Sequence, residues 1–147
     1  MTTATPLVRD ATSQLSAELP AGVVLNWAFR QATAIVSPSG LALQSTVAIA
    51  RCIKVFNITA TQPCRLRLYS TTAHQAADFS RLVTSYPPQF SGLLLEAILT
   101  TTNLTLDFPA VEVCNNESTP SVNIAYSLEP ASAIATTATL NYIVTQV

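Results

Sequence analysis

The chain has 147 residues, 49% of them hydrophobic and only 10% charged, with a net charge of −1. That length fits one domain able to bury a core without metals or disulfides. With Lys54 as the only lysine there is no basic patch of the kind nucleic acid requires, and no unbroken apolar run is long enough to span a membrane. Neither nucleic acid nor a membrane is an expected partner.

The opening MTTATPLVRD has no basic start followed by an apolar core, so it does not read as a secretory signal. Residues 1–21 hold Pro6 and Pro20 and little periodicity, and read as an N-terminal arm. Within it, DATSQLSAEL (10–19) fits a short helix capped by Asp10 or Thr12, or a segment that docks on something else. Residues 22–147 read as a β domain. GVVLNWAF (22–29) and QATAIVS (31–37) fit consecutive strands, stopped by the turn signal Pro38-Ser39-Gly40.

From Leu41 the chain alternates. Leu41, Leu43, Val47 and Ile49 share one face, and Gln44 and Thr46 the other. Ile53 and Val55 then fall on one face and Phe56 and Ile58 on the other, which predicts a bulge or a strand buried on both sides. Pro63 ends or edges the next strand. In CRLRLYS, Leu66 and Leu68 point one way and Arg65, Arg67 and Tyr69 the other. TTAHQAADFSR loses this period and predicts a loop with one or two helical turns, over 72–81.

Gly92 opens the apolar strand LLLEAILTT, and NLTLDFP alternates with Leu104, Leu106 and Phe108 inward. CNNESTP is a polar turn, SVNIAYSL a strand, and IATTATLNYIVTQV closes the chain with Ile134, Thr136, Ala138, Leu140, Tyr142 and Val144 on one face. Short strands separated by turn signals predict an all-β fold, an antiparallel β-sandwich or jelly roll.

Cys52, Cys64 and Cys114 are odd in number and widely spaced, and read as buried free thiols rather than a disulfide framework. No Cys-x-x-Cys pair, His cluster or Asp-rich loop points to a metal, and no cofactor is expected. The Asn-x-Ser/Thr triplets at Asn57, Asn103 and Asn116 are expected by chance in so Thr-rich a chain. His74 is the only histidine, and no Gly-x-Ser-x-Gly elbow presents a nucleophile. Asp78, Glu96, Asp107 and Glu112 are isolated along the chain and mark out no acid pair. The expectation is a non-enzymatic protein. Trp27, Tyr69 or Tyr86, if exposed, can stack on a sugar ring, although Trp27 sits in an apolar run and reads as core.

The segment from Pro63 to Arg81 concentrates charge in an almost uncharged chain. Arg65 and Arg67 share a strand face, and Asp78 and Arg81 are three residues apart, as on a helical turn. Asp78 can pair with Arg81, or reach back to Arg65 or Arg67 and hold the loop on the strand. Three roles fit Arg65, Arg67, Tyr69, Asp78 and Arg81: internal pinning, contact with another subunit, or ligand binding. The low charge favours assembly, because a surface of Thr, Ser, Ala and Asn loses little on burial.

The runs KVFNITATQPCRLRLYSTTAHQAADFSR and GLLLEAILTT, and a closing strand with LNYI, together resemble a family of small structural proteins of tailed bacteriophages. The resemblance runs from about Ala48 to Tyr142 and rests on Arg65, Arg67, Tyr69, Asp78, Arg81, Gly92 and Glu96. Leu82 follows the loop arginine where the family commonly has proline. The resemblance implies a virion protein, assembled in the bacterial host cytoplasm. A capsid decoration (cement) protein of this kind is a small β domain, often trimeric, with an arm that laces onto the major capsid protein. A tail, neck, baseplate or fibre component among other tail proteins is the alternative, and a host-glycan-binding module the rival class.

Overall fold

A computed structural model describes Val8–Arg9, Leu15–Ser16 and residues 31–147. The first two are paired antiparallel as β1 (Val8–Arg9) and β2 (Leu15–Ser16). Leu15–Ser16 is therefore extended, which corrects the helix expected over 10–19 at those two residues; the remainder of that stretch, and the strand expected over 22–29, lie outside the described residues.

Eight longer strands follow: β3 (Gln31–Ser37), β4 (Leu43–Ala48), β5 (Cys52–Ala60), β6 (Cys64–Tyr69), β7 (Leu93–Leu99), β8 (Thr105–Cys114), β9 (Asn123–Pro130) and β10 (Thr136–Gln146). They form two antiparallel sheets, ordered β3-β10-β5-β8 and β4-β9-β6-β7. Strand β3 pairs β10, β4 pairs β9, β5 pairs β8 and β6 pairs β7, so the chain is one long antiparallel ribbon rolled into a sandwich. This is jelly-roll topology, one of the two arrangements expected from short strands separated by turn signals. The helix α1 (Thr72–Asp78) sits in the β6–β7 connection, at the tip of the ribbon.

The core lies between the sheets. Alternate residues enter it, as from β10, where Thr136, Ala138, Leu140 and Tyr142 are buried. Strand β5 buries Ile53 and Val55 but also Ile58. A bulge at Phe56 makes this possible. Against β10 the register steps from Tyr142↔Val55 to Asn141↔Asn57, and against β8 from Val55↔Val111 to Asn57↔Asp107. The extra residue flips the parity, so Ile58 returns to the core. On the β8 side Ala110 takes φ 83, a left-handed conformation at a non-glycine residue.

The two outer faces differ. The β3-β10-β5-β8 face carries Ala34, Thr139, Thr59 and Thr105 in one register row, and Ala32, Asn141, Asn57 and Asp107 in another. Asn141 Nδ2 donates to Asn57 Oδ1 (2.9 Å), and Asn57 Nδ2 to Asp107 Oδ1 (2.8 Å). The opposite face is covered by α1 and the loop after it. Among the described residues no helix is long and apolar enough to cross a membrane.

Cys52 and Cys114 are register partners on β5 and β8, with Cα atoms 4.1 Å apart, and form a disulfide. This corrects the expectation of three free thiols. Spacing in sequence says nothing about cross-strand register, and register is what sets the pair. Cys64 alone is free and buried, and burial pushes its thiol up to about 11. Peptide mapping of the air-oxidised protein under non-reducing conditions should recover Cys52 joined to Cys114. Cys64 should alkylate only after unfolding. A disulfide that includes Cys64 would contradict this register.

Candidate functional site

The densest polar assembly stands on the outer face of the β4-β9-β6-β7 sheet. Strand β6 is central there, so Arg65, Arg67 and Tyr69 project from its outward face while Leu66 and Leu68 enter the core. On an exposed sheet these three would be solvated. Here every residue of β6 is buried, because the ribbon tip folds back over them.

Local capping builds that tip. Thr71 is the N-cap of α1 and its side chain accepts from His74 N (3.2 Å). The first turn has no acid of its own, and Glu117 serves instead: its Oε1 accepts from Thr72 N (2.6 Å) and Thr72 Oγ1 (2.8 Å). Those hydrogen bonds, the Thr72 backbone first, hold the Glu117 carboxyl below its ordinary value. Gln75, buried, donates through Nε2 to the backbone of Ser45 (2.8 Å) and of Tyr126, tying the helix to β4 and β9. Gly92 closes the loop at φ +63, where a Cβ would collide with the His74 ring.

At the other end of α1 the arginines take over. The last carbonyls of a helix have no partner within it. Arg67 Nη1 donates to Asp78 O (2.7 Å) and Nη2 to Phe79 O (3.1 Å), while Arg65 Nη1 donates to Arg81 O (2.7 Å). Arg67 of a central strand thus caps a helix lying across it, and Arg65 holds the loop just beyond the helix.

Carboxylates complete the network. Asp78 meets Arg67 Nη1 (3.1 Å to Oδ2) and Arg81 Nε (2.6 Å to Oδ1), and Oδ2 also accepts from Tyr69 OH (2.9 Å). Arg81 Nη2 reaches Glu96 (2.9 Å), and Arg65 Nε pairs with the other oxygen of Glu96 (2.6 Å). Glu129 on β9 pairs with Arg67 and, at 3.4 Å, with Arg65. Glu96 is the register partner of Arg67, and Glu129 that of Arg65. Arg65 therefore pairs with Glu96 diagonally, and Arg67 with Glu129 likewise.

All five residues singled out in the sequence, Arg65, Arg67, Tyr69, Asp78 and Arg81, meet here. Asp78 takes Arg67 and Arg81 as partners but not Arg65, which goes to Glu96 and Glu129. The sequence reading set Glu96 apart only through a resemblance and missed Glu129. Its position is visible only once β9 is placed beside β6, and register is not written in a local pattern. Tyr69 is fully buried, so it is not a sugar-stacking surface. Burial pushes its hydroxyl up to about 12, with the hydrogen bond to Asp78 adding to the rise and that to Ser127 opposing it. Trp27 lies outside the described residues, and Tyr86 is exposed.

Three guanidiniums thus face three carboxylates. Burial favours the neutral acid at Asp78, but hydrogen bonds from Arg81, Tyr69 and Arg67 win and hold its carboxyl below the ordinary range. Glu96 behaves alike: burial opposes ionisation, and Arg81 and Arg65 overcome it. Burial pulls Arg67 down, yet a guanidinium has enough reserve to stay charged. Carboxylates held ionised this firmly are poorly suited to carry protons near neutrality.

His74 Nδ1 is 2.9 Å from Ser70 Oγ and 2.9 Å from Thr71 Oγ1. Ser70 is buried beneath Gly92, while His74 is half-buried and lines a cavity of about 190 Å³ with Ala77, Pro88 and Phe90. No group of three His, Cys, Asp or Glu among the described residues could hold a metal ion. Comparison with protein families, with curated proteins and with solved structures finds no match.

Removing Asp78 takes one of two carboxylate partners from each of two buried guanidiniums, leaving Arg67 with Glu129 and Arg81 with Glu96. Asp78→Ala should cost about 3 kcal/mol in urea denaturation, against under about 1 kcal/mol for an exposed pair. A loss in the lower range would mean the pair adds nothing to the hold on the loop.

The acid limb follows from the same charges. Asp78 and Glu96 have folded pKa values below their unfolded ones. They stabilise the fold above the unfolded values of about 3.9 and 4.3 and lose that contribution as pH falls through the folded ones. The urea midpoint should therefore drop as pH goes below about 5, and less steeply in Asp78→Asn than in wild type. Equal slopes would rule out Asp78 as a source of the drop.

Proposed function

We propose that this chain is a non-enzymatic structural protein of a bacteriophage virion, and that it works as a capsid decoration protein bound to the shell. One observation carries most of this reading. The largest polar cluster among the described residues is spent on holding a loop to a sheet, with every carboxylate matched to a guanidinium. Such a cluster stiffens a small domain and leaves its carboxylates occupied.

The outer face of the β3-β10-β5-β8 sheet, rich in Ala, Thr and Asn beside the charged Asp107, Lys54 and Glu112, supports assembly. Its Ala, Thr and Asn side chains lose little when a neighbour displaces their water. The topology agrees by analogy, since jelly rolls recur in viral capsid proteins. In this role the major capsid protein is the partner, the chain acts as a homo-oligomer such as a trimer, and assembly takes place in the host cytoplasm. A tail, neck, baseplate or fibre position asks the same of the domain, with tail proteins as partners.

Two exposed aromatic residues favour a second reading. Tyr86 and Phe90 are 95% and 87% exposed, and Phe90 is held at φ 61. Aromatic faces on a lectin-like fold suit sugar rings, so a host-glycan-binding module is the alternative; glycan-array binding that is lost in Tyr86→Ala would favour it.

The leading reading is tested on particles. Reconstruction of the virion should place this chain on the shell in numbers that scale with capsid subunits; numbers set by the tail's symmetry would move it to the tail. A chain lacking residues 1–21 should fold and fail to join the particle. A full-length chain that is a soluble monomer and absent from virions would end the reading.

A further inference from the structure

The cavity that His74 lines, about 190 Å³, lies between α1 and the loop that returns to β7. Ala77, Pro88 and Phe90 give it apolar walls, and His74, Gln89 and Ser91 polar ones. Ala77, Pro88, Gln89 and Phe90 are all exposed, so the cavity opens to solvent. Phe90 is held at φ 61, a conformation that bulky residues rarely adopt. The core gains nothing from it, because the ring is almost wholly exposed. Backbone held in this way is found at ligand clamps.

The polar groups are accessible and uncommitted. Ser70, Thr71 and Gly92 close off the Nδ1–Cγ edge of the His74 ring. The ring therefore meets the cavity with its other edge, which carries Nε2, an atom neither buried nor hydrogen-bonded among the described residues. The Gln89 side chain is likewise exposed and free. Ser91 Oγ accepts from Leu93 N (3.4 Å) and keeps its own proton to give.

This chemistry narrows the occupant. No lysine or arginine lines the cavity, and Asp78 does, with its carboxylate already held by Arg67, Arg81 and Tyr69. An anion is therefore disfavoured. A wholly apolar group would leave the imidazole, amide and hydroxyl unmatched. A ligand hydroxyl suits all of them, because it donates and accepts. Drug-sized ligands ask for roughly 300 Å³ or more, so this cavity takes a single ring. A small ring with an apolar face and hydroxyls around its edge is a neutral sugar.

We propose that this cavity binds one neutral pyranose, the terminal unit of a glycan, with an apolar face of the sugar on Phe90 and its hydroxyls on His74 Nε2, Gln89 and Ser91. The inference rests on the glycan-binding reading, to which it assigns a site, and Tyr86 lies outside that site.

His74 is the only histidine, so the full-length chain has one imidazole Cε1–H resonance to follow by NMR. Titration with the methyl glycosides of mannose, galactose, glucose and N-acetylglucosamine should shift it saturably with at least one of them. Phe90→Gly separates the ring from the fold, because glycine takes φ 61 without strain. Its melting midpoint should hold or rise, while affinity for that sugar falls about tenfold or more. Tyr86→Ala should bind as wild type. Undiminished binding in Phe90→Gly, or a preference for a methyl sialoside over the neutral sugars, would overturn the site. Glycan-array binding abolished by Tyr86→Ala and untouched by Phe90→Gly would keep the glycan reading and remove it from this cavity. No response to any sugar, on the array or in the titration, would end both.

Discussion

Burying three guanidiniums on one face of a sheet is the constraint to which the rest of this structure answers. A guanidinium removed from water costs stability unless it is paired and hydrogen-bonded. Arg67 is fully buried and Arg65 nearly so. Strands β7 and β9 supply Glu96 and Glu129, and α1 supplies Asp78 together with its terminal carbonyls. Sheet pairing, helix position and loop path are each required for the charges to be matched, so the cluster specifies the geometry of the ribbon tip more than it adds net stability.

The rolled ribbon makes this arrangement economical. Its tip, between β6 and β7, must fold onto one outer face, and the cluster holds it there. The opposite outer face presents mainly Ala, Thr and Asn in register, with Asp107 at its edge. One face is thus occupied by the chain's own loop, and among the described residues no element covers the other. The first is rigid and internally neutral, and the second carries little charge. That asymmetry suits a domain that serves as a fixed part in a larger assembly.

Much of this was legible in the residues. Period-two alternation over Leu41–Ile49 and in β10 predicted antiparallel strands, which the structure has, although Leu41 lies before β4 and is exposed rather than on the core face; the parity change around Phe56 left a bulge or a strand buried on both sides open, and the structure has the bulge. The loss of period after Tyr69 predicted the helical turns that became α1. The concentration of arginine and aspartate between Pro63 and Arg81 pointed to the cluster. Its full membership was not legible: Glu129 and the Cys52–Cys114 bond depend on which strands become neighbours and in what register, and that is settled by packing the whole sandwich. Tyr69 was open to either reading, because alternation gives a side chain's face but not whether a distant loop covers it.

If the cluster is what holds the ribbon tip, weakening it should free the tip before the sandwich. Amide hydrogen exchange in Asp78→Ala, compared with wild type at neutral pH, tests this directly. The amides of Gln75 and Arg81, bonded to Thr71 and Asp78 carbonyls in the tip, should lose protection, while those of β5 and β10 change only by the global loss of stability. Uniform loss across tip and sandwich, or a tip as protected as in wild type, would contradict the account.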